Sequence, residues 1–149
     1  MVKKTLNEIK IVYKRTDFDL PQVTCSKVAY ETALKAYSIN ESNIDLKEYF
    51  YILLLNRKNK VVGFYKLSEG GVSETTVDTK LIYSTCLKSL SSSIILVHNH
   101  PSGNLDPSRS DKNLTEKLVE GGKLLDIVVL DHLIITTEGY YSFADNGLM

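Results

Sequence analysis

The sequence predicts an α/β (α+β) domain, a mixed β-sheet with helices packed on it. Three observations predict it. Apolar runs rich in β-formers stand at residues 48–55, 93–97 and 124–130. Stretches with helical spacing of apolar residues alternate with them, at 24–37, 76–90 and 108–121. A chain of 149 residues with 43% hydrophobic content can build one sizeable core.

Taken in order, residues 6–14 read as a strand, with Ile9, Ile11 and Tyr13 alternating against Lys10 and Lys14. Five of the first fifteen residues are Lys or Arg. A basic arm on nucleic acid is one reading; edge lysines that block strand-to-strand aggregation are the preferred one. Residues 16–23 form a proline-containing connector. The expected organisation is therefore residues 1–23 as strand and connector, then one domain over 24–149.

Thr24 or Ser26 caps a helix to about Tyr37, with Val28, Ala29, Ala33 and Ala36 as its apolar face. Residues 48–55 are almost unbroken in apolar character, as expected of a central strand covered on both faces. Residues 56–60 turn the chain into a second hairpin strand over 61–67. Gly70 and Gly71 mark a loop. Residues 76–90 read as a helix with Leu81, Ile82, Cys86, Leu87 and Leu90 on one side.

A strand follows over 94–100, then a helix over 108–121 with Leu114, Leu118 and Val119 inward and Gly121-Gly122 as its stop. Residues 124–130 read as a buried strand. Asp131-His132 interrupts it, Leu133-Ile134-Ile135 continues, and residues 140–144 make a short last strand.

Composition excludes several classes. Eighteen Lys and Arg balance eighteen Asp and Glu, so bulk charge favours no nucleic acid, membrane or acidic partner. Cys25 and Cys86 form no disulfide framework or zinc-knuckle spacing and read as reduced thiols. No apolar run approaches the roughly 20 residues needed to span a bilayer. No hydrophobic signal core follows the first lysines, so a cytoplasmic location is expected.

Chemistry concentrates at residues 98–111, which hold two of the three histidines. On a strand, side chains alternate faces, so His98 and His100 point one way and Asn99 the other. Pro101-Ser102-Gly103 ends the strand, and Ser108 and Asp111 open the next helix. Two imidazoles and a carboxylate can thus meet at the carboxyl end of a strand. Such a set leaves a fourth position on zinc for water, the composition of an open catalytic site. A proton shuttle is also needed, and Glu48 is a candidate at the head of the 48–55 strand.

Other readings stand beside these. Ser108-x-x-Asp111 is equally the pattern of a capping box. His132 is read first as a core histidine satisfied by neighbouring backbone, second as a residue orienting a ligand. Asp131 reads as a buried acceptor or a ligand-orienting acid, and Asp106 as an exposed turn residue. Tyr49, Tyr51, Tyr140 and Tyr141 read as strand packing rather than base-stacking platforms.

The residues His98-x-His100, seven more, then Ser108-x-x-Asp111 resemble the JAMM motif of the JAB/MPN metalloproteases. The fuller string His98-Asn99-His100-Pro101-Ser102-Gly103 with Pro107-Ser108 is similar to the RadC-like branch of that superfamily. So are Leu130-Asp131-His132-Leu133-Ile134 and Tyr141-Ser142-Phe143. The resemblance covers about residues 24–148. It implies a JAB/MPN-like mixed sheet packed with helices, in a cytidine-deaminase-like layering. It implies one zinc per chain on His98, His100 and Asp111. Ser108 would hydrogen-bond the oxyanion, and Glu48, 50 residues before His98, would be the catalytic glutamate.

The implied activity is zinc-dependent hydrolysis of a peptide or isopeptide bond, with a peptide or protein substrate. Two features depart from the pattern. Lys80-Leu81 stands where relatives usually carry Arg-Glu. The helix-hairpin-helix region of longer relatives is not expected in a chain this short, which weakens a DNA reading despite the family's association with DNA repair. The competing functions are a non-catalytic metal-bound interaction module and a metal-dependent nuclease. No concentrated basic stripe supports the nuclease, and the zinc deaminase signature is absent.

Overall fold

A computed structural model of the chain describes residues 6–10, 12, 19–70 and 76–149. Its elements run α1 (Ser26–Ile39), β1 (Tyr49–Leu55), β2 (Val61–Glu69), α2 (Thr79–Lys88), β3 (Ser93–Asn99), α3 (Arg109–Leu125), β4 (Val128–Ile135) and β5 (Tyr140–Ser142). The strands form one sheet in the order β2-β1-β3-β4-β5. Only β3 and β4 are parallel, joined across by α3; the other neighbours are antiparallel. The expected mixed α/β sheet with helices on it is what forms.

Strand alternation sorts the core into two layers. Tyr51, Leu53 and Leu55 of β1 join Ile95 and Val97 of β3 against Ala29, Ala33 and Ala36 of α1. Phe50, Ile52 and Leu54 join Ile94 and Leu96 against Ile82 and Cys86 of α2 and Leu118 of α3. All seven residues of β1 are buried, because helices cover both sides of it.

Several elements differ from expectation. Residues 6–10 and 12 form no strand, and Leu6, Ile9 and Val12 are exposed. Alternation without a neighbouring strand to bury it makes no sheet. Ile11, Tyr13 and Lys14 lie outside the described residues, as do 16–18 of the connector and Gly71. Within the connector, Gln22 makes one bridge to Lys60.

Neither Thr24 nor Ser26 caps α1. Cys25 holds the cap position without a side-chain bond, and the Ser26 hydroxyl meets Tyr140 and Asp145 instead. Helix α2 starts later than expected because Asp78 caps it, accepting from the Lys80 amide. Leu87 and Leu90 are not inward; Leu90, past the helix end, is 80% exposed.

Helix α3 runs through Gly121-Gly122 and stops at Asp126 in the left-handed region. The glycines serve packing here. A Cβ on Gly122 would lie 2.2 Å from the Ile127 carbonyl oxygen, and one on Gly121 would lie 2.7 Å from the Tyr83 hydroxyl. Leu124 and Leu125 are therefore helical, and the strand begins at Val128.

Asp131-His132 does not break β4. Its pairing with β3 steps from Ile94–Val129 to Ile95–Asp131, so one extra residue is inserted at Leu130. Such a one-residue step exchanges the faces of everything after it. Phe143 and Ala144 lie outside β5.

Candidate metal centre

The antiparallel β1–β3 pair sets Phe50 opposite His98. Glu48 stands two residues before Phe50 and His100 two residues after His98, so both lie at the same end of the β1–β3 pair. Glu48 is 8% exposed, and its charge is felt by the His100 ring. It lines a cavity of about 630 Å³ together with His100, Ser108 and Asp111. Strand order alone could not be read from the sequence; this pairing supplies it.

His98 and His100 share a face, as alternation requires. Their Nε2 atoms are 3.0 Å apart. His98 is 1% exposed and stacks parallel to Phe50, with ring centroids 5.7 Å apart. His100 sits just past β3, half-buried, in a turn closed by the Gly103 amide on its carbonyl. Gly103 has φ of +83°, a conformation open to glycine at little cost. The His100 Nδ1 lies 2.6 Å from the Asn104 carbonyl oxygen.

Asp111 reaches the same point from the first turn of α3. Its Oδ1 is 3.3 Å from His98 Nε2, and its Oδ2 is 3.7 Å from His100 Nε2. It also completes a capping box. Asp111 Oδ2 accepts from the Ser108 amide at 2.8 Å, and Ser108 Oγ accepts from the Asp111 amide at 3.0 Å. The capping and ligand readings are thus compatible, because a carboxylate has lone pairs enough for both. His98, His100 and Asp111 form a group that could hold a metal ion, its ligand atoms all within 4.8 Å of one another.

The electrostatics follow from this crowding. Burial lowers the pKa of His98, against the opposing pull of the Asp111 carboxylate. Burial acts the same way on His100, but hydrogen bonds to Asp111 and the Asn104 carbonyl outweigh it, and its pKa rises. Burial alone would raise Asp111; the two imidazoles and the Ser108 amide reverse that and hold it far below the usual carboxylate range.

His132 is the residue that local reading misjudged. It is fully buried, and its ring bonds side chains rather than backbone. Nε2 lies 2.7 Å from His98 Nδ1, and Nδ1 lies 2.6 Å from Thr115 Oγ1. The inserted residue at Leu130 is what turns His132 toward His98. Thr115 belongs to no sequence motif; its i+4 spacing from Asp111 is its one signal in the sequence. Asp131 is a buried acceptor, taking bonds from the His132 amide, the Ser142 hydroxyl and the Ala144 amide. Asp106 is exposed, as expected.

Asn99 points to the opposite face. Its Oδ1 accepts from the Tyr49 amide at 2.8 Å and lies 3.2 Å from the Tyr37 hydroxyl, whose one hydrogen it shares with the Tyr49 carbonyl at 3.0 Å. Its Nδ2 donates to the Ile44 and Lys47 carbonyls, each at 2.7 Å. This clamps the turn that leads into Glu48.

Among the described residues, no helix is long and apolar enough to cross a membrane. The chain is 48% identical over 101 residues to a UPF0758 protein of Flavobacterium johnsoniae, covering 68% of this chain and 44% of that one. It is 43% identical over 129 residues to a UPF0758 protein of Porphyromonas gingivalis, covering 85% and 54%. A UPF0758 protein of Alkaliphilus metalliredigens is 47% identical over 103 residues, covering 69% and 44%. The chain spans about half the length of the curated relatives it matches. The family model described as RadC-like JAB domain matches residues 23–148. With that match over nearly the whole sequence, and the histidine pair and helix-borne acid inside it, the chain belongs to the RadC-like JAB domain family.

Proposed function

We propose that the domain is a zinc-dependent hydrolase of the JAMM type that cleaves a peptide or isopeptide bond in a peptide or protein substrate. The observation that carries this reading is the shared cavity: Glu48 and Ser108 line it together with His100 and Asp111. His98, His100 and Asp111 offer two imidazole nitrogens and a carboxylate oxygen within 4.8 Å of one another, a donor set that zinc takes. When bound, zinc polarises the scissile carbonyl and makes hydroxide available near neutral pH.

The chain's own residues supply the rest. Glu48 takes the proton of the attacking water and returns it to the leaving amine. Ser108 caps α3 through a lone pair, not through its hydroxyl hydrogen. That hydrogen is left to donate to the oxygen on which charge develops. Asp111 and the two histidines would hold the ion.

The test compares zinc-loaded wild type with Glu48→Gln on a panel of peptide and isopeptide substrates. Wild type should cleave, carry about one zinc per chain, and lose roughly 10²-fold or more of its rate in the variant with zinc retained. Wild type that retains no zinc after loading, or a Glu48→Gln enzyme as fast as wild type, would overturn the reading. Zinc without cleavage in either protein would favour a metal-bound interaction module instead.

A further inference from the structure

We propose that Thr115 and His132 are positioning residues that select the tautomer of His98 and so aim its Nε2 lone pair at the metal position. The inference rests on the metal reading above and deepens it. It follows from donor and acceptor counting along one chain of contacts.

The Thr115 hydroxyl has one hydrogen, and it goes to the Asp111 backbone carbonyl at 2.7 Å. A carbonyl oxygen can only accept, so Thr115 Oγ1 can only accept from its other neighbour. That neighbour is His132 Nδ1 at 2.6 Å, which must therefore carry the hydrogen. In neutral His132, Nε2 is then bare and accepts. Its partner is His98 Nδ1 at 2.7 Å, which must carry the hydrogen in turn. Neutral His98 is left with a bare Nε2, the atom that faces His100 and Asp111. A free imidazole side chain favours the opposite tautomer, with hydrogen on Nε2, which would point a hydrogen at the cation.

The chain of contacts closes on itself. It starts at the Asp111 backbone and ends at the Asp111 carboxylate, passing through α3, β4 and β3. Thr115, His132 and His98 are all buried, so water does not compete for these bonds. His100 reaches the same end by simpler means, since its Nδ1 faces a backbone carbonyl that can only accept. Orientation of a ligating imidazole through its far nitrogen is a general feature of metal sites, commonly worth about 10- to 100-fold in affinity. What is particular here is a second histidine and a threonine interposed between the ligand and the backbone carbonyl that sets the order.

The test reads tautomers in the metal-free 149-residue chain by two-bond ¹H–¹⁵N correlation of the histidine rings. Zinc affinity is then measured by chelator competition for wild type, Thr115→Val and Thr115→Ser. In neutral rings, His98 and His132 should both carry hydrogen on Nδ1. Thr115→Val, of nearly unchanged shape, should weaken zinc binding about tenfold and abolish the single tautomer of His132. Thr115→Ser should stay within about twofold of wild type. Hydrogen on Nε2 of His98 overturns the proposal, and needs no variant to fold. So does Thr115→Val binding zinc within about twofold of wild type while its melting temperature falls, the behaviour of a merely structural pair. Wild type that binds no zinc would sink the metal reading itself; the ring spectra report on the relay separately.

Discussion

On one face of β3, Asn99 uses both lone pairs and both amide hydrogens on Tyr49, Tyr37, Ile44 and Lys47. On the other face, His98, His100 and Asp111 satisfy their outer atoms on protein and turn their inner atoms toward one another. Residues one apart in sequence thus belong to two kinds of polar network. The Asn99 network is closed, so breaking it should cost folding free energy. The histidine network is open at its centre, so breaking it should cost ligand binding. A buried polar cluster supports stability when every group is paired, and supports chemistry when unpaired atoms converge.

Exchanging the damage between the two faces tests this contrast most severely. Asn99→Ala orphans a buried amide and two carbonyls and should lower unfolding free energy by about 3 kcal/mol in denaturant titrations. His100→Ala should abolish zinc binding yet leave unfolding of the metal-free protein within about 1 kcal/mol of wild type, because its ring stands past the end of β3 and lines the cavity rather than the core. A large stability loss in the second variant would erase the distinction.

A metal titration comes next in size. Free zinc at about one hundred times its dissociation constant should stabilise wild type by about 2.7 kcal/mol. The same addition should leave His100→Ala unchanged in thermal melts, and chelation should return wild type to its metal-free melting temperature without unfolding it.

Asp111→Asn separates the two roles of one residue. The amide oxygen can still accept from Ser108, so the cap should survive with less than about 1 kcal/mol lost. Zinc affinity, read by chelator competition, should fall by more than the 10- to 100-fold typical of a supporting bond. Loss of both together would mean that the cap depends on the charge.

The smallest effect is expected at Tyr37→Phe. It removes one hydroxyl that bonds Tyr49 and Asn99. Stability should drop by about 1 kcal/mol, with zinc affinity unaltered.

The elements that local reading misplaced share a cause. Gly121-Gly122 reads as a helix stop because glycine is a poor helix former. The structure keeps both in α3 because Tyr83 and the Ile127 carbonyl press against them. Leu124 and Leu125 read as strand because apolar runs carry no period of their own. Leu87 and Leu90 share a helical face with Cys86 on paper, yet α2 is too short and too close to its end to bury them. In each case a neighbour distant in sequence outweighed the local pattern.

The sequence by itself determined that His98 and His100 share a face, that Asn99 opposes them, and that Asp111 stands on the first turn of the following helix. Those relations follow from the two-residue period of a strand and from capping chemistry, which act within a few bonds. Only the tertiary structure decided that Glu48 lines one cavity with His100, since that depends on β1 pairing with β3. Only it decided that His132 backs His98, since one inserted residue at Leu130 exchanged the faces of β4. Strand order and register are set by which long-range pairings bury the most surface, and no local periodicity records that outcome.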